Sequence, residues 1–138
     1  MSLFALLEVS GSALAAQSIR LNTISSNLAN AESVSGSAEA AYKAKQPIFS
    51  TMVDHALRGN SALAGVRVDG VSESSAPPRK EYVPSHPLAD PDGFIFYSNV
   101  NTVEEMANMI SASRSYQSSV EVMNTSKQLL IQTLSLGQ

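Results

Sequence analysis

Near both ends of the chain, apolar residues recur every seven positions, which is the spacing of a helix that packs along another helix. In the C-terminal part, one row repeats every seven residues from Met109, and a second row is offset from it by three. The two rows make one mostly apolar stripe: Met106, Met109, Ser113, Tyr116, Val120, Met123, Lys127, Leu130 and Leu134. No Gly or Pro interrupts residues 101–136. The pattern predicts one helix over residues 101–138, roughly 50 Å long at about 1.5 Å per residue.

The ends of this helix carry their own signals. Thr102 begins a predicted capping box, in which Glu105 reaches back to the cap and acidic residues occupy the first turn. Gly137 is a suitable C-cap. The sequence therefore predicts both where the helix begins and where it ends.

A second heptad row predicts another long helix, over residues 2 to about 32. Its apolar positions are Leu3, Leu7, Leu14, Leu21, Ile24, Leu28 and Ala31. Ser2 is the expected N-cap, and Gly11 is the one weak position inside the helix. Between Ser2 and Ala31, only Glu8 and Arg20 are charged.

The remaining faces of both predicted helices carry Ser, Asn and Ala instead of the Lys and Glu that are typical of a solvent-facing helix. Small neutral side chains favour the close approach of other helices on several sides. We therefore expect the two helices to gain further burial from other subunits.

The middle of the chain predicts a small β-rich insert with extended loops. Strands are expected over residues 42–49, 66–71, 81–83 and 94–97, with connectors at 32–38 and 76–80, a loop at 58–61 and a turn-rich segment at 84–93. The predicted fold is α+β and mainly helical, with the terminal helices pairing as a coiled-coil-like hairpin. The expected division is residues 1–32 for the N-terminal helix, 33–100 for the insert and 101–138 for the C-terminal helix.

Composition narrows the function classes. The chain has 138 residues, of which 43% are hydrophobic and 15% charged, and its net charge is -3. This balance gives no basic footprint for nucleic acid, and no apolar run is long enough to insert in a membrane. There is no Cys for disulfides or thiolate metal sites. The N-terminus lacks the basic segment of a signal peptide, so we expect a cytoplasmic protein or one exported without leader cleavage.

Three small constellations raise the question of chemistry. Ser85, His86 and Asp90 are ingredients of a hydrolase triad, but they share one proline-rich loop without a nucleophile elbow. Residues 90–93 resemble the start of a calcium loop but lack its later ligands, so we interpret them as a turn. His55 and His86 lack ligand spacing. We expect no enzyme activity and no catalytic, cofactor or metal site.

Two segments resemble the signatures of a known family. Residues 24–31 (ISSNLANA) are similar to the N-terminal motif of flagellar rod and hook proteins, and residues 99–124 with 133–137 are similar to their C-terminal motif. The middle motifs, Pro77-Pro78-Arg79 and residues 86–90 (HPLAD), most resemble the proximal rod branch of this family. Ser119 stands where the family usually has Asn, and Glu32-Ser33 replaces a Thr-bearing ending.

The resemblance implies a structural subunit of the bacterial flagellar basal-body rod that self-assembles by helix packing into a torque-transmitting helical tube. It implies export through the flagellar type III apparatus to the periplasmic rod, without a cleaved signal peptide. The implied partners are other rod proteins, copies of the chain, the rod base near the MS ring and the export apparatus. The expected assembly interface is formed by Leu7, Leu14, Leu21, Ile24, Asn27, Leu28, Asn30, Met106, Met109, Tyr116, Gln117, Val120, Met123, Asn124, Leu130 and Leu134. Its amides are expected to hydrogen-bond between neighbouring helices.

Two alternatives stay open at this point. The chain could be another rod or hook component, or a soluble helical adaptor or export chaperone that binds partners through its stripes. A chaperone should present charged outer helix faces, which these helices lack. The sequence also leaves open whether the two helices pair within one subunit or between subunits.

Overall fold

Two long helices enclose two small antiparallel sheets in chain order, as the sequence predicts for a mixed α+β protein. The computed structural model describes residues 3–53 and 64–136. The elements are α1 (Leu3–Ala29), β1 (Val34–Ser35), β2 (Lys45–Val53), β3 (Ala64–Glu73), β4 (Arg79–Tyr82), β5 (Phe94–Tyr97) and α2 (Thr102–Leu136). The predicted caps Ser2 and Gly137 and the predicted loop at 58–61 lie outside the described residues.

Helix α2 begins where predicted, but a different residue caps it. The Asn101 side-chain oxygen accepts hydrogen bonds from the backbone N–H groups of Val103 (3.1 Å) and Glu104 (3.4 Å). The capping box predicted for Thr102 and Glu105 is therefore wrong. Thr102 is already helical, and the Glu105 side chain is buried instead of reaching back to the cap.

Helix α1 ends at Ala29, about one turn earlier than predicted. Asn30 forms the exit turn: its side-chain N–H donates to the Ser26 carbonyl oxygen at 2.8 Å, and the Ser33 hydroxyl donates to the Asn30 carbonyl oxygen at 2.7 Å. These local bonds offer the backbone an alternative to continued helix. The chain then enters β1, a two-residue strand inside the segment predicted as a connector.

The insert contains two separate sheets. β2 and β3 form an antiparallel ribbon whose register runs from Lys45↔Glu73 to Val53↔Ala64, with an irregularity between Ile48 and Phe49. The second sheet has the strand order β1-β5-β4. β3 contains the strand predicted at 66–71, and β5 coincides with the one predicted at 94–97. β4 begins earlier than expected, because Arg79 and Lys80 pair with β5 instead of belonging to a link.

The segment predicted as turn chemistry does form a turn. One Asp90 side-chain oxygen accepts hydrogen bonds from the backbone N–H groups of Asp92 (3.0 Å) and Phe94 (2.7 Å). Gly93 follows with φ of 82°, in the left-handed region that favours glycine. A Cβ there would lie 2.8 Å from Tyr82 Cε2, so space as well as conformation requires glycine.

Helix α1 is the central element, because it contacts α2 and also the ribbon of β2 and β3. The two helices are antiparallel: Gly11 lies beside Met123, while Ile24 shares a cleft with Glu105. At the ribbon, the Val66 N–H donates to the Ser12 hydroxyl at 3.1 Å. The buried apolar core is rich in alanine and consists of Ala5, Ala16, Ile24, Ala31, Ala41, Ile95 and Ala112. Over the described residues, neither helix is apolar enough along a sufficient length to cross a membrane.

Candidate assembly interface

One row of α2 residues, here called the inner row, faces α1. It consists of Glu105, Met109, Ala112, Tyr116, Ser119, Met123, Ser126 and Leu130, spaced alternately by four and three. All but Tyr116 are buried or half-buried. Among the described helices and strands, α2 contacts α1 alone. The buried row therefore marks the side of α2 that packs on α1.

Several hydroxyl groups in this helix pair bond to their own helices. The Ser126 hydroxyl donates to the Val122 carbonyl oxygen at 2.7 Å, and the Ser119 hydroxyl donates to the Ser115 carbonyl oxygen at 3.0 Å. On α1, Thr23 bonds to the Ile19 carbonyl oxygen in the same way at 2.9 Å. Such back-bonding satisfies a buried hydroxyl without a partner on the other helix. It explains how helices with many Ser and Thr residues pack closely.

A second row, here called the outer stripe, lies one residue further along the chain at each step. One residue rotates a side chain by about 100° around a helix axis, so this row flanks the inner row. It consists of Val103, Met106, Ile110, Ser113, Gln117, Val120, Asn124, Lys127, Ile131 and Leu134, and all but Ser113 and Val120 are exposed.

The exposed large apolar residues of the outer stripe are clustered at its two ends, while the half-buried Val120 lies in its middle. Val103, Met106 and Ile110 are 75%, 58% and 56% exposed, and at the other end Ile131 and Leu134 are 57% and 65% exposed. The middle of the stripe carries Gln117, Asn124 and Lys127. The outer stripe thus has the spacing of a helix-packing seam, with apolar ends and a polar middle.

The stripe predicted from the sequence combines residues from both rows. Met109, Met123 and Leu130 belong to the inner row, with the partly exposed Tyr116 between them. Met106, Val120 and Leu134 belong to the outer stripe, together with the predicted amides Gln117 and Asn124. The single stripe predicted by the heptad spacing therefore combines two adjacent rows, and α1 covers one of them.

The predicted positions on α1 are mostly covered within the chain. Ile24 and Asn27 are buried, while Leu7, Leu14, Leu21, Leu28 and Asn30 are half-buried. The interface role predicted for these residues is not tested by a single chain, so it stays a prediction.

Asn27 is already bonded inside the chain. It is 0% exposed, and its side-chain N–H donates to the Lys45 carbonyl oxygen at 2.8 Å. Its side-chain oxygen accepts hydrogen bonds from the Lys45 N–H at 2.9 Å and from the Tyr42 hydroxyl at 3.1 Å. Asn27 thus joins α1 to the first residue of β2 as a neighbouring strand would.

Sequence reasoning missed the most buried positions of α2. Glu105, Ala112, Ser119 and Ser126 are spaced by seven residues, and all but Ser119 are buried. Reading the repeat for small residues as well as large apolar ones would have found this row, because small side chains allow two helix backbones to approach closely.

Charged groups contribute little to either helix face. In the described part of the chain, the ion pairs are Arg67–Asp69 at 2.7 Å and Arg79–Glu32 at 3.5 Å, and neither involves α2. Among residues 3–53 and 64–136, no three His, Cys, Asp or Glu side chains are grouped closely enough to hold a metal ion. In the described chain, α2 therefore packs on α1 without ion pairs.

Comparisons with known proteins place this arrangement in a family. The profile described as flagella basal body rod protein matches residues 7–36, and that of the C-terminal region of flagellar basal body rod FlgEFG proteins matches residues 92–136. The chain is 50% identical to flagellar basal-body rod protein FlgC of Salmonella typhimurium over 138 residues, which is all of both chains. The chain belongs to the FlgC family of flagellar basal-body rod proteins. FlgC of Escherichia coli O6:H1 is 49% identical, and FlgC of Buchnera aphidicola subsp. Baizongia pistaciae is 34% identical, each over the full length of both chains.

These matches confirm the resemblance inferred from the end motifs. The region of the chain that the first profile matches covers most of α1, and the region that the second matches covers β5 and α2. The two helices that form the inner row contact are therefore the parts of the chain with the clearest family signature.

Proposed function

We propose that this chain is a structural subunit of the proximal flagellar rod, and that it assembles with other rod proteins and with copies of itself by helix packing. Membership in the FlgC family over the whole chain supports the rod as its site of action. We also infer a place in the periplasmic part of the basal body, near the MS ring, reached through the flagellar type III export apparatus. The small neutral faces of α1 and α2 support this role, because they suit burial among other helices.

The observation that carries the proposal is the outer stripe. Single exposed apolar residues are normal on a protein surface and need no explanation. Here the spacing of alternating three and four residues continues from Val103 to Leu134, over about 46 Å of helix. That spacing is the one used by a helix that packs along a second helix. A neighbouring subunit's helix would bury the apolar ends in coiled-coil-like contact.

The polar middle of the stripe fits the same role. Asn and Lys at packing positions of a helix seam fix its register at a cost in stability. Asn124 and Lys127 occupy such positions and are exposed in the single chain. They would favour one axial alignment of neighbouring subunits, as a regular tube that transmits torque requires.

The test is a pair of matched double substitutions. Met106→Glu with Ile110→Glu places two charges in the outer stripe, four residues apart. Ala107→Glu with Ser111→Glu places two charges at the same spacing, one residue further along, on exposed positions outside the stripe. The first pair should abolish motility and recovery of the chain in purified basal bodies, because a buried unpaired charge is costly. The second pair should retain both.

Circular dichroism and thermal unfolding of each purified variant provide the control for folding. Both variants should unfold like the unsubstituted chain, because all four side chains are exposed in the single subunit. The outer stripe would lose its assigned role if basal bodies accepted the Met106/Ile110 variant at normal levels. Equal loss of assembly in both variants would show that the stripe is not a distinct surface.

A further inference from the structure

A cleft of about 440 Å³ opens where the C-terminal half of α1, the first turns of α2 and the start of β2 meet. Its apolar wall is formed by Ile24, Pro47 and Phe49. Glu105 lines it from the inner row of α2. Glu104 also lines it from α2, while Arg20 and Lys45 line it from α1 and β2. The cleft is therefore part apolar and carries both acidic and basic groups, and it is open to solvent at one side.

One carboxylate oxygen of Glu105 has no hydrogen-bond donor among the described residues. The residue is 8% exposed, and its Oε2 atom has less than 1 Å² of exposed surface and no hydrogen-bond partner in the described chain. A buried acceptor without a donor costs free energy, and a buried carboxylate without a cation costs more. Glu105 lies in the first turn of α2, where the helix dipole favours an acid, but the dipole leaves the buried Oε2 atom without a hydrogen-bond donor in the described part of the chain.

The nearby cations of the same chain are not paired with Glu105. Arg20 and Lys45 line the cleft, yet neither forms one of the ion pairs in the described residues. The Lys45 ammonium lies over the Tyr42 ring, 5.6 Å from its centre. Within the described chain, the Glu105 carboxylate is therefore not part of an ion pair.

We propose that this cleft receives a Lys or Arg side chain of a neighbouring rod subunit, whose charged head pairs with Glu105. The aliphatic stem of such a side chain would pack on Ile24 and Phe49, as long cationic side chains do along apolar surface. The charge matches, because an ionised carboxylate only accepts hydrogen bonds and a cationic donor forms the stronger bond. The site adjoins the outer stripe, since Met106 follows Glu105 directly. This inference rests on the proposed rod function.

The absence of Cys from the chain allows a direct test of coverage. Asn108→Cys places one thiol in the half-buried lining of the cleft, and Ser85→Cys places one on an exposed loop as the comparison. Each full-length tagged variant is treated with N-ethylmaleimide, first as purified chain and then in isolated basal bodies. Thiols that remain unreacted are counted after denaturation by the mass shift with a polyethylene glycol maleimide.

We expect the thiol at position 108 to react in the free chain and to be protected in basal bodies. Equal reactivity in the two states would overturn the proposal, because the cleft would then be open in the assembled rod. The thiol at position 85 reports whether reagent reaches the assembled chain at all. If the thiol at position 85 reacts in basal bodies, protection at position 108 is due to coverage of the cleft and not to exclusion of the reagent.

A competition experiment tests the charge pair itself. Glu105→Gln or Arg20→Gln is expressed together with the unsubstituted chain, and the ratio of the two in basal bodies is measured. Glu105→Gln should fall about tenfold in incorporation, as expected when one member of a buried ion pair between proteins is removed. The unfolding temperature of the purified Glu105→Gln variant should be unchanged or higher, because the substitution removes a buried acid that has no ion-pair partner within the described part of the free chain.

Two further outcomes would overturn the site. If Glu105→Gln were incorporated into basal bodies as well as the unsubstituted chain, its charge would have no role in assembly. If Arg20→Gln lost as much incorporation as Glu105→Gln, Arg20 would be the partner of Glu105 within the chain. Absence of even the unsubstituted chain from basal bodies would instead overturn the rod function, and this site with it.

Discussion

Helices α1 and α2 have similar compositions but different surroundings. Both are long, poor in charge and rich in small residues. α1 is covered by α2 and by the ribbon of β2 and β3, and Ile19 is its one exposed large apolar residue among those whose exposure is described. α2 is covered by α1 alone among the described elements, and it exposes Val103, Met106, Ile110, Tyr116, Val122, Leu129, Ile131 and Leu134.

The difference shows that composition does not set the burial of a helix in this chain. Position does, because the ribbon folds back onto α1 and leaves α2 at the edge of the molecule. α1 therefore organises the single subunit, while α2 retains apolar surface that is available for contacts between subunits. Substitutions can test each half of this comparison separately.

The largest effect on the single chain is expected from Asn27→Ala. The substitution removes three hydrogen bonds and leaves the partly buried N–H and C=O groups of Lys45 without their Asn27 partners. Each buried unpaired group costs about 1–3 kcal/mol, so the free energy of unfolding should fall by about 2–4 kcal/mol. Urea unfolding followed by circular dichroism measures it.

Asn30→Ala is the matched control on the same helix. Asn30 donates one side-chain hydrogen bond, to the Ser26 carbonyl oxygen, and is half-buried. Its loss should lower the free energy of unfolding by about 1 kcal/mol or less. If the two variants were equally stable, the bonds from Asn27 to β2 would not be what fixes the ribbon to α1.

A smaller effect is expected where α2 meets α1. Ala112 is 0% exposed, so Ala112→Leu must force the helices apart and should lower the free energy of unfolding by about 1–3 kcal/mol. Ala107→Leu adds the same side chain at an exposed position of α2 and should change it by less than about 0.5 kcal/mol. Similar losses from both substitutions would contradict the assignment of the inner row.

The existence of both helices could be predicted from the sequence, because heptad repeats without Pro persist over many turns. The side of α2 that faces α1 could not. Met109 and Met106 both fit a spacing of three and four, and the inner row and outer stripe differ by one residue of phase. A repeat that is apolar on two adjacent rows predicts that the helix packs on another helix, but it does not determine which row contacts α1.

Elements that depend on distant partners were harder to predict. β1 has two residues and exists because Val34 and Ser35 pair with Tyr97 and Phe96, more than sixty positions away. The capping error at α2 has a local cause: Asn101 and Thr102 are adjacent, and both residue types cap helices well. The burial of Glu105 could not be foreseen, since acidic residues in a first helical turn are normally explained by the helix dipole.

The smallest expected effect concerns the closeness of α1 and α2 at Gly11. A Cβ added there would lie 3.8 Å from Met123 Cε, which is ordinary van der Waals contact, and Gly11 lies inside helix α1. Gly11→Ala should therefore raise the free energy of unfolding by about 0.5–1 kcal/mol, because glycine inside a helix loses more backbone freedom on folding than alanine does. Thermal unfolding measures the shift. Gly93→Ala is the comparison: it should lower the free energy of unfolding under the same conditions, because Gly93 has a φ of 82°. A loss of stability in Gly11→Ala would mean that the helices lie closer at this point than the Met123 contact indicates, and that glycine is required there for space.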